Sequence, residues 1–260
     1  MSYSALLNVM VSAVLKAGKL LSRDFGEVQN LQASLKGPHD FVTRSRLKCQ
    51  EIIYQELLCA RPKYGFYSGG KVCDGEDNTA RWIVDPLNGF TNFLYAIPHF
   101  CVSIALERNQ EIVASVVFNP ITDELFTAER GAGSFLNDRR IRVSSRKNLP
   151  QSIVCYSSLR VDEKQTSDYF TQLYRIMNYV VGTRSFGSEA LDLSYIAAGR
   201  FDGFWGYGLP IWCISAGLLI VRESGGFSTG LLGENVVAKT KGVVSGNMHV
   251  HKKLLDILKS

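Results

Sequence analysis

The stretch Trp82-Ile-Val-Asp-Pro-Leu-Asn-Gly-Phe-Thr-Asn-Phe93 constrains the chain more than any other. It begins as a short apolar strand, reaches Asp85-Pro86 at the strand's expected end, and turns through Asn88-Gly89 into Phe90-Thr91-Asn92-Phe93. An acidic residue at a strand end can hold a hard cation, and amides that open a helix face an anion. The same residues also read as a strand, an Asx-type turn and a helix start with no chemistry attached. Either way, a strand, a tight glycine turn and a helix must follow one another here.

At 260 residues the chain can bury a sizeable core, as one large domain or two packed halves. Its 46% apolar and 20% charged residues describe an ordinary globular protein. A net charge of +5 is mild, and no Lys/Arg run forms a nucleic-acid arm. Cys49, Cys59, Cys73, Cys101, Cys155 and Cys213 are scattered with no Cys-x-x-Cys pair, which suits a reducing compartment. The N-terminus lacks a basic segment before its apolar residues, and no apolar run reads as long enough to span a bilayer. The expectation is a cytoplasmic protein with no membrane partner.

Leu6, Leu7, Met10, Val11, Val14 and Leu15 recur at helical spacing and predict an amphipathic first helix. Ile52, Ile53, Leu57 and Leu58 predict a second, stopped by Arg61-Pro62. From Trp82 to Val143 the period becomes that of strands, and Cys101 to Leu106 is apolar on both faces. Ile112 to Phe118 is similar and ends at Asn119-Pro120, while Gly131-Ala-Gly133 and Asn137-Asp138 are turn signals. This predicts an antiparallel sheet with helices packed on it. The composition turns polar around Arg146-Lys147-Asn148-Leu149-Pro150, which places a boundary between residues 1–147 and 148–260. Beyond it, strand-like runs at Ile153–Tyr156 and Val243-Val244 alternate with helices at Thr166–Asn178, from a Ser188 cap through Ala198 to a stop at Gly199, over Ile211–Glu223 and from Met248. An α+β first half and an α/β second half follow.

Asp85-Pro86-Leu87-Asn88-Gly89 resembles the D-P-[LI]-D-G-T signature of the inositol monophosphatase family. Trp212-Cys-Ile-Ser-Ala-Gly-Leu-Leu-Ile-Val-Arg-Glu-Ser-Gly-Gly226 resembles the family's second signature, W-D-x-A-A-G followed by an apolar run and E-A-G-G. Lys36-Gly37, Asp40-Phe-Val-Thr43, Glu124-Leu-Phe-Thr-Ala128 and Ala190-Leu-Asp-Leu-Ser-Tyr-Ile-Ala-Ala-Gly-Arg200 match in order. The resemblance spans nearly the whole chain and is closest to the bacterial SuhB-type (extragenic suppressor) branch. It implies a layered α/β/α/β/α sandwich. It also implies Mg²⁺-dependent hydrolysis of phosphate monoesters, typically of inositol, in which cations orient a water and neutralise charge.

Carried over position by position, the implied roles are mostly lost. Asp85 matches a metal-bridging Asp, and Leu87 offers a backbone carbonyl to metal. Asn88 stands where a second Asp belongs, and Phe90 replaces the Thr that orients the attacking water. A phenyl ring can neither donate nor accept that hydrogen bond. Gly69 and Gly70 align with an upstream Glu-Glu pair whose first member is a ligand. Cys213 replaces a metal-binding Asp, and a thiol suits Zn²⁺ or Cu(I) rather than Mg²⁺. Gly206 replaces a Glu that contacts substrate hydroxyls, and Arg46 replaces an Asp shortly after Asp40. Asp40 itself is kept, in a position that supports the site. Two Mg²⁺ ions roughly 4 Å apart repel by about 17 kcal/mol at an effective dielectric near 20, which one retained carboxylate cannot offset.

Other candidates read as structural. His39, His99, His249 and His251 show no metal spacing, and the His249-Val-His251 pair is expected to be solvated. Ser157-Ser158 and Ser188 lack partners for a nucleophilic triad, Gly131-Ala-Gly133 is too short for a phosphate loop, and Glu76 fits a downstream loop better than a ligand position. The backbone amides of Gly89, Phe90 and Thr91 are expected to hold an anion even without metal. The reading is a family member that is weakly active or inactive, with at most one Mg²⁺, retaining a binding or regulatory role. Its ligand is a small phosphorylated polyol or an inorganic anion, its assembly a homodimer, and by analogy its partner a protein or RNA-processing factor. The alternative is an active Mg²⁺-dependent inositol-1-monophosphatase with substitute ligands.

Overall fold

The computed structural model describes residues 3–31, 38–157, 163–236 and 240–259, with the side chains of 163–167 excepted. Lys36-Gly37 and Ser158 lie outside the described residues. Helix α1 (Ala5–Leu31) starts where the Ser4 hydroxyl accepts the Leu7 N–H at 3.1 Å, a helix N-cap bond. Its buried stripe of Leu7, Met10, Val11, Val14, Leu21, Phe25 and Val28 includes four of the predicted apolar residues, and Leu15 is exposed instead. Each such large side chain taken from water is worth roughly 1.5–3 kcal/mol. Against expectation, α1 is by length and composition apolar enough to cross a membrane; its apolar face is instead part of the protein core. Helix α2 (His39–Ala60) packs beside it and stops at Arg61, because the residue before a proline is steered out of helical geometry.

Strands β1 (Tyr64–Ser68) and β2 (Lys71–Cys73) form a hairpin that opens an eight-stranded sheet. Its two-residue turn is Gly69-Gly70, with φ of +56° and +81°. Two-residue hairpins of this kind favour glycine because both turn residues have positive φ. Strand β3 (Asp77–Asn88) runs parallel to β1 and leads through Gly89 into helix α3 (Phe90–Leu94). Strands β4 (Cys101–Arg108), β5 (Glu111–Asn119), β6 (Glu124–Glu129), β7 (Gly133–Leu136) and β8 (Arg139–Arg140) continue antiparallel, in the order β2-β1-β3-β4-β5-β6-β7-β8. At the β6–β7 turn the carboxylate of Glu223 accepts the amides of Gly131 and Gly133 at 3.0 and 2.9 Å. That glycine turn holds a carboxylate of its own chain.

The second sheet is built from β9 (Ile153–Tyr156), β10 (Gly182–Arg184), β11 (Gly203–Tyr207), β12 (Phe227–Gly230) and β13 (Gly242–Gly246), in the order β10-β9-β11-β13-β12. Its helices are α4 (Glu163–Met177), α5 (Glu189–Ala197), α6 (Ile211–Glu223) and α7 (Met248–Lys259).

Alternation along the strands explains the layers. Trp82, Val84, Val102, Ile104, Val116 and Phe118 face the core shared with α1 and α2. Ile83, Cys101, Ala105 and Val117 point to the other side, into a core filled by α5 and α6 that also receives Cys155, Phe204 and Val243 of the second sheet. Val154, Trp205 and Val244 face outward onto α4 and α7. A sheet covered on both faces needs both side-chain sets apolar, which is why Cys101 to Leu106 shows no polar alternation. The result is the α/β/α/β/α sandwich.

Three local expectations are corrected. Asp85 is not at a strand end, because β3 continues to Asn88 across a bulge: Asp85 opposes Ser103 and Asn88 opposes Cys101. Pro86 sits in that bulge, where its missing N–H breaks no ladder bond. Ser188 occupies the N-cap position of α5 without making a side-chain cap bond. His251 is buried, not solvated; its ring lies 3.0 Å from the Thr229 hydroxyl, and burial lowers its pKa.

Candidate functional site

The end of β3, the start of α5 and the middle of α2 converge on Asp85. Its carboxylate is 4% exposed and accepts the Leu87 N–H at 3.3 Å and the Asn88 side-chain N–H at 3.0 Å. Asn88, 2% exposed, has its own oxygen occupied by the Ser188 hydroxyl at 2.8 Å and the Ala190 N–H at 3.1 Å. The amide of Ala190 can only donate, so the Asn88 oxygen must face it and the NH₂ must face Asp85. The same NH₂ lies 3.5 Å from the carboxylate of Glu189, which is itself 3% exposed. Asn88 therefore caps α5 from a strand 102 residues away and sits between two buried carboxylates. Helix α2 is fastened over this segment where the Cys49 thiol donates to the Pro86 carbonyl at 3.0 Å, and burial pushes that thiol's pKa up.

The remaining predicted positions divide. Gly69 follows β1 directly alongside Asp85, since Ser68 pairs with Val84. A side chain at Gly69 would start 2.9 Å from the Arg46 guanidinium, so Arg46 lies over that glycine. Gly70 faces the Trp212 ring at 3.6 Å, which brings the second signature to the same place, with Cys213 buried in the first turn of α6. Phe90 is half-buried with the His39 ring 5.9 Å away, and Thr91 is exposed on α3. Asp40 is not brought to Asp85: its carboxylate is fully exposed, 3.8 Å from His39. Gly206 is buried inside β11, and a side chain there would start 2.2 Å from the Ser157 hydroxyl. The space a longer side chain would need is already filled.

Sequence reasoning missed Glu189 altogether. An acidic residue in the first turn of a helix reads as a helix-dipole partner, and nothing local ties it to a strand a hundred positions away. It also missed Asn92, whose NH₂ donates to the carbonyls of His99 and Phe186 at 2.7 and 2.6 Å and so joins α3 to the approach of α5.

The donor set does not fit a pair of Mg²⁺ ions. Among the described residues no three His, Cys, Asp or Glu side chains stand together as a metal cluster. Mg²⁺ asks for hard oxygens in octahedral array, whereas the Asn88 side chain presents its NH₂ to Asp85 and the Arg46 guanidinium lies over the neighbouring Gly69.

One turn along α5, Asp192 is buried with one oxygen 3.3 Å from the His99 ring and the other unpaired among the described residues. Burial, with Glu189 adding to it and His99 opposing, raises its pKa from 3.8 to about 6. A carboxylate raised in this way costs stability as it ionises. The cost is absent below about pH 4 and complete above about pH 6, and it amounts to roughly 3 kcal/mol. The melting-temperature difference between Asp192→Asn and the wild type is expected to move in the variant's favour from pH 4.5 to pH 7.5. A difference that stays flat across that range would remove Asp192 from the account.

The sequence model described as the inositol monophosphatase family matches residues 2–260. A Rhizobium meliloti protein named inositol-1-monophosphatase is 53% identical over 99% of this chain and 97% of its own. Nus factor SuhB of Escherichia coli is 36% identical over 96% of this chain and 94% of its own. The crystal structure of extragenic suppressor protein suhB from Bartonella henselae superposes with a TM-score of 0.91 at 50% identity, covering 99% of both chains. That of an inositol monophosphatase from Anabaena gives 0.87 at 28% identity, covering 98% and 95%.

Proposed function

Because the chain belongs to the inositol monophosphatase family, one of metal-dependent phosphatases, we propose that this member keeps the family's fold and anion-binding cleft but has lost most or all Mg²⁺-dependent hydrolysis. The observation that carries this reading is the placement of Asn88. Its NH₂ is held between Asp85 and Glu189 while its oxygen is fixed by α5, so it offers no oxygen to a cation. Phe90 supplies no group to orient a water. The ligand is then a small phosphorylated polyol or an inorganic anion, bound rather than turned over. We further assign a cytoplasmic location, a homodimeric state and, by analogy with the relative named Nus factor SuhB, a protein or RNA-processing partner.

The 53% identity to a protein named inositol-1-monophosphatase favours a second reading, an active Mg²⁺ enzyme with a substitute ligand. Glu189, whose carboxylate lies 3.5 Å from the Asn88 NH₂, is the acid this reading would place in that role. Phosphate release from inositol 1-phosphate at millimolar Mg²⁺ separates the two. On the first reading release stays near background and Mg²⁺ moves the melting temperature by less than about 1 °C, since a ligand that binds the folded state raises it. Brisk, Mg²⁺-dependent release establishes the second.

A further inference from the structure

Arg46 is a site group whose chemistry the reading above leaves unused. It projects from α2 three residues before Cys49, whose thiol holds that helix over Pro86, so both residues lie on the helix face above Asp85. Its guanidinium rests on the bare backbone of Gly69, 2.9 Å from where a side chain would begin. Arg46 is half-buried, and the structure gives it no hydrogen bond or ion pair among the described residues. A guanidinium has five N–H donors in a fixed fork matched to carboxylate and phosphate oxygens. A half-buried fork that lies over a turn with no side chains and has no acceptor within the described residues is a set of charged donors the chain itself does not use.

The surroundings agree with that. Gly70, next in the turn, faces the half-buried Trp212 ring at the start of α6, a helix of 13 residues. That helix has no side-chain cap and no acidic residue in its first turn, so the positive end of its dipole is not neutralised there. Asp85, Glu189 and Asp24 are opposing charges in the neighbourhood, but all three are buried. Asp85 is bonded to Asn88 and the Leu87 amide, Glu189 lies 3.5 Å from the Asn88 NH₂, and Asp24 is paired with Arg23 and Ser45.

We infer that Arg46 is the fixed cation of a metal-free oxyanion site, in which the phosphate of a phosphate monoester lies against the Gly69-Gly70 turn between the Arg46 guanidinium and the first turn of α6. This rests on the reading that the cleft binds its ligand without a Mg²⁺ pair. It adds the group that takes over the neutralising role. An arginine achieves with one permanent charge what a pair of ions achieves only when carboxylates hold them.

The test is calorimetric titration of the full chain with inorganic phosphate in EDTA. The wild type is expected to bind, and Arg46→Met to lose about tenfold or more in affinity, the usual effect of removing a charged hydrogen-bond donor. Arg46→Lys should fall between them, because it keeps the charge and loses the fork. Arg44→Met, an exposed cation of the same helix, should bind as the wild type does. The inference is overturned if the wild type takes up phosphate only when Mg²⁺ is added, or if Arg46→Met binds as tightly. Should Arg46→Met fail to fold, Arg46→Lys decides, since unchanged affinity there also overturns it. Failure of the underlying reading looks different: it is Mg²⁺-dependent turnover of inositol 1-phosphate, whatever phosphate does in EDTA.

Discussion

A chain carrying Arg46→Asp, Asn88→Asp, Phe90→Thr and Cys213→Asp together is expected to hydrolyse inositol 1-phosphate in a Mg²⁺-dependent way, roughly 100-fold or more above the wild type. Each change answers one observed obstacle. Arg46→Asp removes the cation lying over Gly69 and frees the space beside Asp85. Asn88→Asp exchanges the NH₂ that faces Asp85 for an oxygen, while its other oxygen can keep Ser188 and the Ala190 amide. Cys213→Asp adds a hard ligand at the start of α6, and Phe90→Thr restores a hydroxyl. Ligands of one metal site act as a unit, so any single change should leave activity at background. Adding Asp85→Asn to the combined variant should abolish the gain. Two further reversals are poor candidates for structural reasons. Gly69→Glu places a side chain at φ +56°, at a cost of about 1–2 kcal/mol, and Gly206→Glu drives its first carbon into Ser157. A folded combined variant that binds Mg²⁺ and releases no phosphate would show that the backbone of the site has shifted as well.

Elements set by local pattern could be read from the chain. The α1 stripe, the stop of α2 at Arg61-Pro62 and the helix over Ile211–Glu223 all follow from helical spacing and from residues that end helices. The two-faced apolar strands announced a buried sheet, although not which helices would cover it. The β1–β2 hairpin was hidden for an instructive reason. Its Gly69-Gly70 turn was compared with a pair of acids in the family signature, when the backbone itself asks for glycine at both positions.

The site was legible only in part, and the dividing line is sequence distance. Asp85, Asn88 and Cys213 could be singled out because each lies within a short stretch that resembles a signature. The bonds that define what Asn88 does come from Ser188, Glu189 and Ala190, about a hundred residues on, and no local pattern couples the two segments. Arg46 could be singled out only by comparing its place after Asp40 with an acidic position of the family pattern. That its guanidinium would lie over Gly69 depends on how α2 is fastened to Pro86 through Cys49, which only the fold reveals.

Asn88→Asp alone should destabilise the protein by about 3 kcal/mol at pH 8 in EDTA, the scale of breaking a buried charged hydrogen bond. In the wild type the Asn88 NH₂ is attractive to Asp85 at 3.0 Å and to Glu189 at 3.5 Å. An aspartate there replaces a shared donor with a third carboxylate among groups that are almost wholly buried. For a chain of this length the loss corresponds to roughly 6–12 °C in melting temperature. The sign of the pH dependence follows from the mechanism. Like-charge repulsion exists only while the added aspartate is ionised, so the penalty is larger at pH 8 than at pH 5. Mg²⁺ should return part of the lost stability to this variant, because it now has three acids to hold one ion, and should leave the wild type unmoved. Thermal melts of both proteins at pH 5 and pH 8, with EDTA or with Mg²⁺, give every comparison needed. If the variant melts with the wild type at pH 8 in EDTA, Asn88 is not the clamp between Asp85 and Glu189, and the case against a metal site built around it loses its main support.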